Sequence, residues 1–315
     1  MKMLQDHFDE IVPSVQRDDF LTNFQVIDAT PAARWFFAES AQAEWDIADD
    51  FPTVASPWPS CWMEFVHPGT ERIGKKQIDV PFRIRSGAMI LSYKIPEDKR
   101  SYVLENYGLL LRLQQYTTLV DGSERFRNGT HEAIKRGFEP AWMQMMKFHL
   151  EINGRHAWAF AAHMYLDADG KIDRGTWFNI GNPQTNISDG YPFATVMFPF
   201  LFTLSLLHCK NVKLEDVAVP PKVQAKREKR GVPNITFKTL VVEPMRQQVR
   251  RETAQDPTGE QNHIRRALHI ARGHFKDYRN GPGLFGKYQG LYWWDMHVRG
   301  SADAGLVVKD YQVRR

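Results

Sequence analysis

Two stretches near the carboxy end alternate polar and apolar residues with the two-residue period of a β-strand, and this alternation most constrains the fold. In the second stretch Tyr292, Trp294, Met296 and Val298 form an apolar side, and Trp293, Asp295, His297 and Arg299 a polar one. In the first, Leu268 to Tyr278, the residues Arg272, His274, Lys276 and Tyr278 share one face, while Ala271, Gly273 and Phe275 share the other. Joined across Arg279 to Gly290, the two predict an antiparallel hairpin. If its polar faces meet, two histidines, two arginines, a lysine and a tyrosine converge on one surface suited to a phosphate-bearing ligand.

Charge divides the chain in the same direction. Residues 222–315 carry 19 Lys and Arg against 9 Asp and Glu, a net of +10, whereas residues 1–221 carry 22 against 28, a net of −6. Excess cations on one part of a chain favour association with nucleic acid through phosphate contacts. The change occurs at Val219-Pro220-Pro221-Lys222, followed by Lys226-Arg227-Glu228-Lys229-Arg230-Gly231. This proline-led basic stretch reads as a connection between two domains, or as a solvated loop of one. We place an acidic, aromatic-rich recognition domain at 1–215 and a small basic domain at 216–315.

Cys61 and Cys209 are the two cysteines, far apart and without a Cys-x-x-Cys, so neither a disulfide framework nor a cysteine-rich zinc site is expected. His269 and His274 are five apart and face opposite ways on one strand, so no metal and no cofactor is expected there either. The start lacks the apolar core of a signal peptide, which points to the cytoplasm. Phe193 to Leu207 is apolar but short and interrupted by Pro199, predicting a buried helix rather than a membrane span. Met143 to Glu151, after Glu139-Pro140-Ala141-Trp142, reads as helical, and His156 to Leu166 as a strand closed by an Asp167-Ala168-Asp169-Gly170 turn. That turn lacks the downstream glutamate of a calcium loop. Phe237 to Val242 reads as a strand, Pro244 to Thr253 as a helix and Gly305 to Val313 as a closing strand. The class is α+β: a mixed amino-terminal domain, then a small basic domain with a carboxy-terminal antiparallel hairpin.

Three kinds of chemistry fit the hairpin. Phosphate binding uses Arg272, Lys276 and Arg299, with Lys229, Arg230, Arg265 and Arg266 extending the footprint. A metal-independent ribonuclease uses His274 and His297 as base and acid, with the cations stabilising the phosphorane and Asp295 orienting an imidazole. Packing against the helix carrying Arg250 and Arg251 needs neither. In the front part Trp35, Phe36, Phe37, Trp45, Phe51, Trp58, Trp62 and Phe65 lie among Pro52, Pro57 and Pro59. Rigid aromatics beside prolines suit a groove for an extended peptide, lined by Trp35, Trp58 and Trp62; the same residues also suit a core.

His269-Ile270-Ala271-Arg272-Gly273-His274-Phe275 through Tyr278 resembles the His-x-x-Arg-Gly-His-Trp-x-x-Tyr-Trp signature of a type V-A anti-CRISPR family with a Moraxella phage member and widespread phage and plasmid relatives. The likeness covers about the last 95 residues; Phe275 stands for the signature's tryptophan and Arg279 for its final aromatic. The resemblance implies a regulator that recognises a nascent polypeptide, or the amino terminus of a target protein, and lowers expression of the encoding mRNA. The basic domain would then contact mRNA or the ribosome, with no membrane partner. A ribonuclease using His274 and His297, and a phage nucleic-acid-binding structural protein, are the alternative readings.

Overall fold

A computed structural model describes residues 3–12, 14, 17–40, 46, 49–67, 70–73, 76–79, 84–95, 137–152, 154–181, 193–231, 233–243, 267–271, 273–284, 286–295, 297–299 and 301–306. These form two compact units, 1–208 with 214–241, and 209–213 with 242–315.

The first unit opens with three short helices, α1 (Met3–Asp6), α2 (Phe8–Ile11) and α3 (Arg17–Asn23). Strand β1 (Gln25–Asp28), helix α4 (Thr30–Ser40) and strand β2 (Ser60–Val66) follow as a parallel β-α-β unit. Strands β3 (Thr70–Ile73) and β4 (Lys76–Asp79) pair with each other. Next come the long strands β5 (Ile84–Lys94), β6 (Trp142–Ile152), β7 (Arg155–Leu166) and β8 (Ile172–Gly181), each antiparallel to the one before. Helix α5 (Phe193–Leu207), strand β9 (Val212–Val217), helix α6 (Pro221–Glu228) and strand β10 (Phe237–Val242) complete it. Eight strands make one mixed sheet in the order β8-β7-β6-β5-β2-β1-β10-β9, with β10 parallel to β1.

Alternation along β2 shows how the sheet is covered. Phe65 turns to α5, its ring 4.9 Å from Phe200, and Phe200 also meets Phe148 of β6 at 5.8 Å. Trp62 and Glu64 turn the other way. Trp62 joins a core with Met3, Leu4, Phe8, Ile11 and Phe20 of the amino-terminal helices, and the Leu4 amide donates to Glu64 Oε2 at 3.1 Å. Helix α5 is apolar all round because it is covered all round: Val196, Met197, Phe200, Leu201, Phe202, Leu204 and Leu206 have no exposed surface. The segment 51–56 lies along it, with Phe51 near Phe198 and Phe202 and the Ser205 hydroxyl donating to the Thr53 carbonyl. No helix among the described residues is long and apolar enough to cross a membrane.

The architecture carries the α+β class expected, with several changes. Trp142–Ile152 is a strand, not a helix. Its second half, Met146 to Ile152, alternates strictly, and two long neighbours supply its backbone partners, so context overrides the helix propensity of Met and Leu. The basic stretch after Pro220 belongs to the first unit: α6 precedes β10, which lies between β1 and β9, so the unit boundary does not fall at 215. Lys229 and Arg230 are exposed at the end of α6, where Gly231 adopts φ +65°. The helix expected at 244–253 and positions 307–313 of the expected closing strand lie outside the described residues. The strand at 155–166, its Asp167 turn, the helix at 193–207 and the strand at 237–242 stand where the sequence puts them.

Gly87, the ladder partner of Glu64, makes room for Trp62. A Cβ there would lie 2.3 Å from the Trp62 ring and 2.2 Å from the Met3 methyl. Gly87→Ala is expected to destabilise the first unit by about 1–3 kcal/mol, measured by denaturant unfolding, and Gly87→Val by more.

Candidate functional site

The second unit contains the hairpin. Strands β11 (Ala267–Ala271), β12 (His274–Asp277), β13 (Leu291–Trp294) and β14 (His297–Arg299) pair as β11 with β14 and β12 with β13, and β15 (Ser301–Leu306) runs parallel to β11. Both antiparallel ladders keep one register from His269–Arg299 to Asp277–Leu291, continued by reciprocal Tyr278–Gly290 amide bonds of 2.8 and 3.3 Å. The expected hairpin is therefore present.

Its faces differ from the expectation. His274 pairs with Trp294 and Lys276 with Tyr292, so the polar positions of one strand share a face with the apolar positions of the other. The reason is parity: register, which the alternation of either strand alone leaves free, fixes which face meets which. His297 pairs with Ala271 rather than His274, and the ladder does not assemble a histidine pair. The other face of the β12–β13 ladder is a small core, in which Phe275 lies 4.8 Å from Trp293 and both Leu291 and Trp293 are buried. The His274 face is more open: His274, Lys276, Tyr278 and Trp294 are half-buried, and Tyr278 and Tyr288 each lie 6.3 Å from Tyr292. Asp277 holds the Arg279 guanidinium at 2.7 Å. Arg265, Arg266 and Arg272 lie outside the described residues, as do the side chains of His297 and Arg299.

Asn211 anchors this hairpin. Its buried amide mimics a peptide group, accepting from the Trp293 amide at 3.0 Å while Nδ2 donates to the carbonyls of Trp293 at 2.8 Å and Glu243 at 3.2 Å. The Lys210 amide adds a bond to the Leu291 carbonyl, extending the β13 edge.

The three tryptophans proposed for a peptide groove separate. Trp62 is fully buried, with its indole donating to Glu64 Oε2 at 3.2 Å, so it is a core residue and no groove wall. Trp35 on α4 and Trp58 before β2 are half-buried, while Phe36, Phe51 and Phe65 are core.

Sequence reasoning missed a second constellation, on the face of the first sheet beneath the amino-terminal helices. Arg85 of β5 is bonded to its buried ladder partner Glu151 and to Asp6 of α1, the latter at 3.1 Å. Glu151 Oε2 lies 3.3 Å from His7 Nε2. His7 Nδ1 lies 3.4 Å from Glu10 Oε2, and the same oxygen lies 3.0 Å from His156 Nδ1. His156 Nε2 meets His149 Nδ1 at 3.1 Å. Burial raises the Glu64 carboxyl above the usual range despite its bonds from Leu4 and Trp62, and holds His149 well below the ordinary imidazole value, helped by Lys147 and His156. The legible signals were His7-x-x-Glu10, one helical turn apart, and His149, Glu151 and His156 near the β6–β7 turn.

Both cysteines are free and buried, and burial pushes the Cys61 thiol up to about 12, so neither has the character of a nucleophile. No protein-family model matches the chain, and neither does any curated protein or solved structure.

Two measurements follow from these environments. Asn211→Ala strands buried backbone groups of Trp293 and Glu243, and should cost about 2 kcal/mol or more, with hydrogen exchange of the β12–β13 amides rising before that of β5–β7. His163, 4% exposed, is held at about 4 by burial against an ordinary 6.5. The unfolded chain therefore binds the extra proton first, so stability is complete above pH 6.5 and falls towards pH 4, by on the order of 3 kcal/mol from this residue. His163→Met should flatten the stability–pH slope in that window.

Proposed function

We propose that the chain is a regulator of expression, with the first unit recognising a nascent polypeptide or target protein and the basic carboxy-terminal part contacting the mRNA or ribosome. The observation that carries the RNA part is the half-open hairpin face, where His274, Lys276 and Tyr278 follow one another along one edge and Trp294 stands opposite His274. Cations interleaved with aromatic rings suit single-stranded nucleic acid: the cations meet phosphates and the rings stack on bases. A purely cationic face would serve phosphate alone. The net excess of ten cations in 222–315 supplies the long-range attraction, partly from the exposed Lys222, Lys226, Lys229 and Arg230 of the first unit.

Peptide recognition rests on the resemblance of the last third to the type V-A anti-CRISPR family, and in the first unit Trp35 and Trp58 are the aromatic residues of the expected groove that keep exposed surface. The register sets Ala271, not His274, opposite His297, and we assign RNA loss to host nucleases.

Expressing the chain and sequencing cellular RNA tests the proposal. A fall in one or a few transcripts, reversed by recoding their first codons to other amino acids, is the expected result; broad loss would indicate an unguided ribonuclease. With purified full-length protein, Lys276→Glu should reduce the salt dependence of single-stranded RNA binding by about one phosphate contact. Trp294→Ala should weaken it by about 1–3 kcal/mol. His274→Gln should leave silencing intact.

A further inference from the structure

We propose that His7, Glu10 and His156 bind a divalent transition-metal ion of the zinc class, fastening the amino-terminal helices to the edge of the β6–β7 turn. The three donor atoms lie within 4.8 Å of one another. Glu10 Oε2 is 3.4 Å from His7 Nδ1 and 3.0 Å from His156 Nδ1. Ligand atoms around a tetrahedral zinc with bonds near 2.0–2.1 Å are spaced by about 3.3 Å, so these separations need little adjustment. The two imidazoles stack 4.7 Å apart at 22°, with both Nδ1 edges towards the same carboxylate oxygen.

The outer contacts suit the tautomers that a metal requires. Glu151 Oε2 lies 3.3 Å from His7 Nε2, so a metal-bound His7 would have this carboxylate beside its second nitrogen while Nδ1 faces Glu10. His149 is buried, and its Nδ1 lies 3.1 Å from His156 Nε2, where it would accept from a His156 that turns Nδ1 to the metal. A histidine ligand that donates its second nitrogen to a carboxylate or another acceptor is the usual support of a protein metal site, and Glu151 and His149 stand in those positions. In the metal-free chain a proton between His156 Nδ1 and Glu10 Oε2, 3.0 Å apart, holds the cluster, and the ion would take its place. Glu151 in turn is fixed by Arg85.

Access and consequence both fit. The Glu10 side chain is 64% exposed whereas His7 and His156 are 16% and 6% exposed, so the ion enters from the Glu10 side and a fourth position stays open to solvent. Helix α2 has four residues and is not stable by itself, so ligands at its N-cap, His7, and within it, Glu10, coupled to β7 turn metal binding into folding free energy for the amino-terminal segment.

The test uses metal-stripped full-length protein titrated with Zn²⁺ by calorimetry and with Co²⁺ by absorption. One ion per chain, with a rise in the thermal midpoint on Zn²⁺ addition, is expected. Glu10→Gln, on an exposed side chain that leaves the fold intact, should weaken Zn²⁺ binding at least tenfold and abolish the thermal shift. Glu151→Gln, which keeps shape but weakens the outer acceptor, should cost about 10–100-fold. Glu215→Gln, at an exposed carboxylate of β9 outside the site, should leave Zn²⁺ binding and the thermal shift unchanged. Absence of saturable binding to the wild-type chain, or an affinity unaltered by Glu10→Gln, would overturn the proposal; in that case the two histidines and Glu10 form a proton-held ion-pair cluster only.

Discussion

The buried ion pair between Arg85 and Glu151 governs what can lie over one face of the large sheet. Both residues sit on central strands with neighbours on either side, so neither side chain reaches bulk water. Removing two charges from water costs several kcal/mol per ion unless each finds further partners. The amino-terminal helices supply them: Asp6 meets Arg85, His7 meets Glu151 and the Leu4 amide meets Glu64. The polar contacts also set how those helices lie, because Met3, Leu4, Phe8 and Ile11 must at the same time seal against Trp62 and Met89. Gly87 permits the arrangement by leaving space for the indole where any side chain would collide.

The opposite face is solved by apolar volume alone. Helix α5 buries its Thr203 and Ser205 hydroxyls, and Pro199, which has no amide hydrogen, lies inside it; Thr203 Oγ donates back to the Pro199 carbonyl one turn earlier at 2.7 Å. Peptide-like side chains then stitch irregular segments to regular ones. Gln144 binds the Ser56 amide and the Val54 carbonyl in the first unit, and Asn211 treats Trp293 in the same way in the second. A buried carboxamide matches both halves of a peptide group, so it can close a strand edge where no further strand is available.

Much of the local structure was legible from residues. The spacing of Trp158, Phe160 and Met164, the aspartate–glycine turn after Leu166 and the largely apolar run of 193–207 depend on near neighbours, and the structure carries the strand, turn and helix they predict. The helix expected at 143–151 is a strand because Met and Leu spaced three and four apart satisfy a helix as well as a strand. The decision lay with β5 and β7, which are distant in sequence or follow later. Composition changes near 215, whereas the compact units follow strand pairing: β10 is held by β1, more than two hundred residues upstream.

The sites divide along the same line. By itself the sequence determined that the carboxy-terminal hairpin forms, where it turns and which residues alternate along each strand, because those properties depend on near neighbours and a period of two. Only tertiary structure decided that His274 and Lys276 face Trp294 and Tyr292, since register is a property of a pair of strands. It alone brought His7 and Glu10 to His156 and Glu151, residues separated by about 145 positions that the sheet and its covering helices place within a few ångströms. A cluster drawn from distant segments leaves no spacing in the chain, whereas the charges it buries leave the fold little choice but to assemble it.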